Sequence, residues 1–179
     1  MIYQNMLINM TWRLDMYQKN KFVILTDSRQ RVESHIIKEF DKQGILHIQT
    51  KLDSADYMAL RYDEEKGFYK DYSILIDTKK DLLEICGNLT GTSEHQRLIR
   101  EVDLGHELGA KEFIFLIGEN NIKNADDIKK WKSPHTKVKG ETLLKVLKTF
   151  KEHHDCKFIF VSKKDMGKRI IELLKKEGK

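Results

Sequence analysis

Ile74-Leu75-Ile76-Asp77-Thr78-Lys79-Lys80 closes an apolar run with an acid and a lysine two positions apart. Side chains alternate between the faces of a β-strand, so Asp77 and Lys79 would emerge together and Thr78 on the opposite face. A metal-bound phosphate could meet an acid and a lysine so placed. Asp56, upstream beyond a turn-rich segment, offers a second carboxylate. A chain that is 34% charged also produces Asp-x-Lys by chance, in which case the tripeptide is a strand end with solvated charges. The flanking sequence has to decide.

Upstream, Phe22-Val23-Ile24-Leu25-Thr26 reads as a buried strand that stops at Asp27-Ser28-Arg29, where a helix is expected to begin. That helix would carry Val32, Ile36, Ile37 and Phe40 on one face and end near Gly44. Residues 45–52 and 57–62 suggest two further strands. The polar stretch 63–71 is expected to turn the chain into the strand 72–77, completing a hairpin. Downstream, residues 81–86 begin a helix expected to break at Gly87-Asn88, and a longer helix covers 93–108. A strand at 111–117, a helix at 140–153, a strand at 157–161 and a Lys-rich helix at 164–176 follow. Strands 22–26, 113–117 and 158–161 are apolar throughout, as strands buried on both faces are. The pattern predicts an α/β fold, a mixed β-sheet flanked by helices on both sides.

Composition adds bounds. The 179 residues suffice for one domain, and the sequence holds 10 glycines, one proline and no visible repeat. A formal charge of +5 favours a polyanionic partner such as nucleic acid, and equally suits a merely basic protein. Cys86 and Cys156 fit neither a disulfide framework nor a zinc site, which points to a reducing compartment. No apolar segment approaches a membrane span, and residues 1–21, read as an N-terminal arm, lack the marks of a signal peptide. The expected location is cytoplasmic, in a bacterial cell or phage-infected host, with no membrane partner.

Four segments occur in a telling order: Thr26-Asp27-Ser28-Arg29-Gln30, Leu52-Asp53-Ser54-Ala55-Asp56-Tyr57, Ile76-Asp77-Thr78-Lys79, and Gly87-Asn88-Leu89-Thr90 with Arg97 to Glu101 beyond. In this order and spacing the chain resembles the XPF-type nuclease domain of the PD-(D/E)xK, restriction-endonuclease-like fold. The resemblance is to its small stand-alone phage and prokaryotic versions and covers about residues 22–170. The family pattern reads Asp-x-Arg-Glu, Gly-Asp-Tyr, Glu-Arg-Lys followed by an acid, a glycine-containing turn, and an Arg-x-x-x-Gln or Glu helix. Asp27, Arg29, Asp56, Tyr57, Lys79, Arg97 and Glu101 match it, and Asp77 keeps the charge of its glutamate. Gln30, Ala55 and Thr78 depart from it, standing where the family has glutamate, glycine and arginine. The acid expected after the lysine falls on Leu83, with Asp81 and Glu84 beside it.

The resemblance implies a metal-dependent DNA endonuclease selective for branched, flap or fork DNA in repair, recombination or replication. It implies catalytic roles for Asp27, Asp56, Asp77 and Lys79, Mg²⁺ or Mn²⁺ held by Asp56 and Asp77, and DNA contacts from Arg29 and Arg97. Residues 22–179 would form one such domain. The alternative is a catalytically weakened or silent DNA-binding or partner-binding module on the same fold. Nothing in the chain resembles the tandem helix-hairpin-helix domain of many relatives, so substrate grip is expected from this domain, a second copy in a homodimer, or a nuclease partner. Asp27 has the competing reading of a helix cap. Asp53 reads as solvated, His153-His154 as a helix end, and Lys-rich 163–176 as either a DNA-tracking surface or a solvated helix face.

Overall fold

A computed structural model describes residues 21–30 and 33–176; residues 1–20, which hold all but the last residue of the 1–21 arm read from the sequence, residues 31 and 32, and the last three lie outside that range. Six strands form one sheet in the order β2-β1-β3-β4-β5-β6. They are β1 (Phe22–Asp27), β2 (His47–Thr50), β3 (Tyr57–Asp63), β4 (Gly67–Lys79), β5 (Glu112–Gly118) and β6 (Cys156–Val161). The helices are α1 (Ser34–Lys42), α2 (Leu82–Thr90), α3 (Thr92–Glu107), α4 (Ala125–Lys130), α5 (Gly140–His154) and α6 (Met166–Leu174).

Period-two alternation distributes the apolar side chains. Leu75, Phe113, Phe115 and Ile117 join Leu82, Ile85, Leu98, Val102, Leu143 and Phe150 in a core beneath α2, α3, α4 and α5. Ile74, Ile76, Ile114 and Leu116 join Ile36, Phe40, Ile170 and Ile171 beneath α1 and α6 on the opposite face. This is the mixed, doubly covered sheet expected from the sequence, and it explains why β5 is apolar at nearly every position.

Direction matters as much as order. β1 pairs parallel with β2, β4 with β5 and β5 with β6, while β3 runs antiparallel to both β1 and β4. The reversed β3 therefore begins at the edge where β1 and β4 end. Asp56, just before β3, accepts from Asp27 N through its own carbonyl (2.8 Å) and donates its N–H to Ile76 O (3.0 Å). Three segments distant in sequence are thus stitched together by their backbones.

Several boundaries differ from expectation. β4 starts at Gly67, because the Asp63 carboxylate accepts from Glu65 N (2.9 Å) and Lys66 N (3.0 Å) and closes a tight turn, leaving 67–71 as strand. α2 continues through Gly87-Asn88 to Thr90, whose hydroxyl donates to Cys86 O (2.8 Å); the break comes at Gly91, in extended backbone. The first helix starts at Ser34 with Glu33 as its cap residue, so Asp27 does not cap it. α4, unanticipated in sequence, is nucleated by a capping box between Asn124 and Asp127. The residues around 164 form a short 3₁₀ turn (Lys163–Asp165), and the α-helix begins at Met166.

Candidate active site

Asp77 sits near the end of β4, on the α3 side of the sheet, and is almost fully buried with Lys79. The two side chains form an ion pair, and Lys79 Nζ lies 5.8 Å from the centre of the Phe115 ring. The period-two reading of the strand end therefore holds in three dimensions. Asp27, Asp56, Asp77, Lys79, Arg97 and Glu101 share the lining of one cleft of about 530 Å³. Its wall carries six carboxylates against four cations.

Asp56 is held by an unusual set of donors. Its Oδ2 accepts from Thr78 N (2.7 Å), Thr78 Oγ1 (2.8 Å) and Gln30 Nε2 (2.8 Å). Gln30 Nε2 also donates to Thr78 Oγ1 (2.8 Å). The carboxylate satisfies the Thr78 N–H at the point where β3 has not yet begun, and so extends the ladder. Gln30 and Thr78, two departures from the family pattern, are thus in contact with each other and with the same acid.

The electrostatics follow from burial. Asp56 is pushed up to about 8, first by desolvation and then by the Asp77 charge, against the opposing Thr78 hydrogen bonds. Glu101, on α3, is pushed up to about 7 by burial and by the Asp77 charge. Burial disfavours the charge on Lys79, but Asp77 outweighs it and raises the ammonium above its ordinary range. Asp27 behaves oppositely: burial would raise it, but Arg29 holds it below the usual carboxylate range. Arg29 donates from its backbone N (2.9 Å) and Nε (2.9 Å) to the Asp27 carboxylate, with Nη2 completing the ion pair, and its Nη2 donates to Leu52 O (2.8 Å).

Asp27 therefore lines the cleft already paired with Arg29, while Asp56, Asp77 and Glu101 share the charge of Lys79. Glu101 matched the family pattern in sequence but received no role; its position four residues after Arg97, on the same helix face, was the available signal. Arg97 reaches the cleft half-exposed, with Nε donating to Glu94 Oε2 (3.0 Å). Arg100 lines it too, unnoticed in sequence. Asp81 caps α2 by accepting from Glu84 N (2.9 Å), and Glu84 in turn accepts from Lys80 N (2.7 Å). Asp53 is half-exposed but not free, accepting from Tyr72 Oη (2.9 Å) and Lys70 Nζ (3.2 Å). His153 and His154 end α5, with His154 packed on Phe150 at 4.6 Å, and the buried Cys156 thiol is pushed up to about 12 by desolvation.

Ala55 occupies the position of the family's glycine at φ 61°, in the left-handed region. Alanine there costs roughly 1 kcal/mol. The backbone requirement for glycine thus persists in this chain, and the strain is borne beside Asp56.

Against Mg²⁺ or Mn²⁺ the donor set can be judged chemically. Among the described residues no three His, Cys, Asp or Glu side chains converge into a ready-made metal cage. Mg²⁺ is commonly held by one or two carboxylates, with waters and substrate phosphates filling its shell. Asp56 and Asp77 are hard oxygen donors that line the same cleft, so they fit such an ion.

The sequence matches the ERCC4 domain over residues 26–174, most of the chain. It belongs to the ERCC4 domain family. XPF from Aeropyrum pernix has a similar structure, with a TM-score of 0.59 and 10% identity over 84% of this chain and 64% of that one. XPF from Aeropyrum pernix in complex with DNA is similar at a TM-score of 0.55 and 12% identity, over 84% of this chain and 62% of that one. The ERCC4 domain thus spans less than two thirds of those chains, and identities this low speak for the fold. A Synechocystis protein named as an uncharacterized methyltransferase is 27% identical over 110 residues, which are 62% of this chain and 17% of that protein. The described residues share the fold of those XPF structures.

Proposed function

We propose that this ERCC4 domain, residues 22–179, is a metal-dependent DNA endonuclease that hydrolyses phosphodiester bonds, with branched, flap or fork DNA as its preferred class. The observation that carries the reading is Asp77 at the end of β4, paired with Lys79 and sharing one open cleft with Asp56 and Glu101. Asp56 and Asp77 would hold Mg²⁺ or Mn²⁺, which would supply charge neutralisation and acidify the attacking water.

The remaining chemistry belongs to the chain. Lys79, kept charged by Asp77, is suited to orienting the attacking water and stabilising charge on the phosphoryl oxygens. Asp27 holds Arg29 in place, and Arg29 with Arg97 grips phosphates flanking the scissile one. Glu101, whose proton affinity lies near neutrality, is suited to accept a proton from the water or to return one to the leaving oxygen. The protein acts on DNA alone, as a homodimer or with a nuclease partner.

A second reading, a silent DNA-binding module, draws on the pairing of Asp27 with Arg29 and the three donors on Asp56, which leave fewer free ligand oxygens. Labelled branched and linear DNAs incubated with Mg²⁺ or Mn²⁺ separate the two. Structure-selective cleavage by the wild type, reduced at least about 100-fold by Asp77→Asn and by Lys79→Ala, is expected. Retained binding without cleavage in either metal would establish the silent module instead.

A further inference from the structure

Outside the catalytic cleft, the most unusual segment of the chain is residues 129–139, Lys-Lys-Trp-Lys-Ser-Pro-His-Thr-Lys-Val-Lys, with five lysines and no acid. All five lysines are exposed, and among them an ion pair is formed by Lys129, with Asp126. The backbone beneath them is fixed. Trp131 N donates to Ile128 O (3.0 Å), His135 N to Ser133 Oγ (3.2 Å) and Val138 N to Thr136 Oγ1 (3.1 Å). Trp131 and Val138 pack on the core, and a Cβ at Gly140 would fall 2.1 Å from Ile128 O, so the segment is pressed closely onto the end of α4. It encloses a second cleft of about 570 Å³, whose lining sets Lys129, Lys132, Lys137 and Lys139 against one acid, Glu141, beside the half-buried Trp131. With Lys129 paired to Asp126, the exposed Lys132, Lys137 and Lys139 still leave the cleft net positive, which attracts a polyanion.

The topology relates this cleft to the first. β5 runs parallel to β4, with Ile117 opposite Lys79, so the chain leaving β5 emerges at the same sheet edge as the catalytic lysine. α5 must run back against β5 to reach the parallel β6, which brings its start, Gly140, to that edge as well. α2 stands between the two clefts: Glu84 in its first turn lines the catalytic one, and the Cys86 thiol neighbours the Thr136 side chain of the basic segment. A helix with its side chains is about 10 Å across, roughly three base pairs of duplex.

We propose that the 129–139 segment is a second nucleic-acid site, which grips the phosphate backbone of duplex DNA beside the strand presented to Asp77 and Lys79. The identity of the polyanion rests on the nuclease reading. Lysines are point charges suited to backbone contacts without base readout. Among the described residues the large exposed apolar side chains are Tyr69 and Leu104, neither in this segment, so it lacks the anchors of a protein hot spot or a membrane-inserting face.

The test is binding of a labelled 20-base-pair duplex, without divalent metal, as a function of salt. Replacing Lys132, Lys137 and Lys139 together with alanine should weaken binding about tenfold or more. It should also lower the slope of log K against log salt by about two to three, near 0.9 per lost phosphate contact. The exposed set Lys145→Ala, Lys148→Ala and Lys151→Ala on α5 removes the same charge elsewhere and should leave the slope within one unit. Thermal melting by circular dichroism checks that both triple variants are folded. Equal slopes for folded wild type and the 132/137/139 variant would overturn the proposal, as would tighter wild-type binding to phosphatidylserine vesicles than to duplex. Wild-type binding and cleavage with no effect of the three lysines removes this site and leaves the nuclease reading standing. Wild-type binding with the predicted slope change but no cleavage supports this site and removes only the catalytic reading.

Discussion

Gln30 and Thr78 look like two separate losses of charge, but in the structure they are one event. The amide donates to both the Thr78 hydroxyl and Asp56, and that hydroxyl donates to Asp56. Where the family pattern has an acid and a guanidinium, this chain has a neutral amide and hydroxyl in mutual contact, and both hold the Asp56 carboxylate. Changing one partner alone should therefore hurt more than changing both. Gln30→Glu removes a donor and sets a second carboxyl against Asp56, at an expected cost of about 1–3 kcal/mol at pH 8. Adding Thr78→Arg should recover most of it, because a cleft of about 140 Å³ lined by both residues can admit the longer side chain. Urea denaturation of the two single variants and the double variant measures the coupling. Strictly additive losses would show that the two departures are independent.

Among the elements, α3 contributes Arg97, Arg100 and Glu101 to the cleft, and its distance from the sheet is fixed one turn later. A Cβ on Gly105 would lie 2.7 Å from Phe113 Cδ2, 2.9 Å from its Cε2 and 3.1 Å from Leu75 Cδ1. These atoms belong to fully buried side chains with little room to give. Alanine gains about 1 kcal/mol of helix propensity, while overpacking a closed interface costs about 1–3 kcal/mol, so the net for Gly105→Ala is destabilising. Lifting α3 also draws Glu101 away from Asp77. Gly105→Ala should lower the urea midpoint and reduce cleavage of saturating DNA several-fold. An unchanged midpoint would mean that Phe113 repacks without cost. The other elements were largely legible: β1, β5 and β6 from their apolar runs, α3 and α5 within two residues at each end. β4 and α2 were misjudged at Asp63 and at Gly87-Asn88, because turn residues suggest a break wherever side-chain hydrogen bonds do not reveal themselves.

At the scale of the molecule, the site makes stability depend on pH. Asp56 and Glu101 bind a proton more tightly folded, near 8 and near 7, than unfolded, where carboxyls titrate near 4. Their charged forms thus oppose folding fully above about pH 8, and that opposition is relieved as pH falls through these values. Asp27 and Asp71, held below the usual range, stabilise the fold above the unfolded carboxyl value and lose that contribution only at lower pH. The metal-free protein is expected to be more stable at pH 6 than at pH 8.5, by on the order of 2 kcal/mol. Mg²⁺ should reverse the order by stabilising the protein more at pH 8.5, where the carboxylates are free to bind it. Melting curves at both pH values, with and without Mg²⁺, test both statements, and Asp56→Asn should flatten the dependence. A metal-free melting temperature that rises with pH would contradict this account of the cleft.

The linear chain carries the alternation that makes strands, the acids and lysine that could meet a phosphate, and the order of short segments that marks the family. Those features are local, set by side-chain periodicity and residue type. The meeting of Asp56 with Asp77 is not local: it follows from β3 running against its neighbours, so that its first residues arrive where β1 and β4 end. The surroundings then divide the carboxylates, since Asp27 finds Arg29 within two residues and is lowered, while desolvation and the Asp77 charge raise Asp56 and Glu101. Residue type fixes which groups can ionise. Only the packed sheet and its helices decide which of them do.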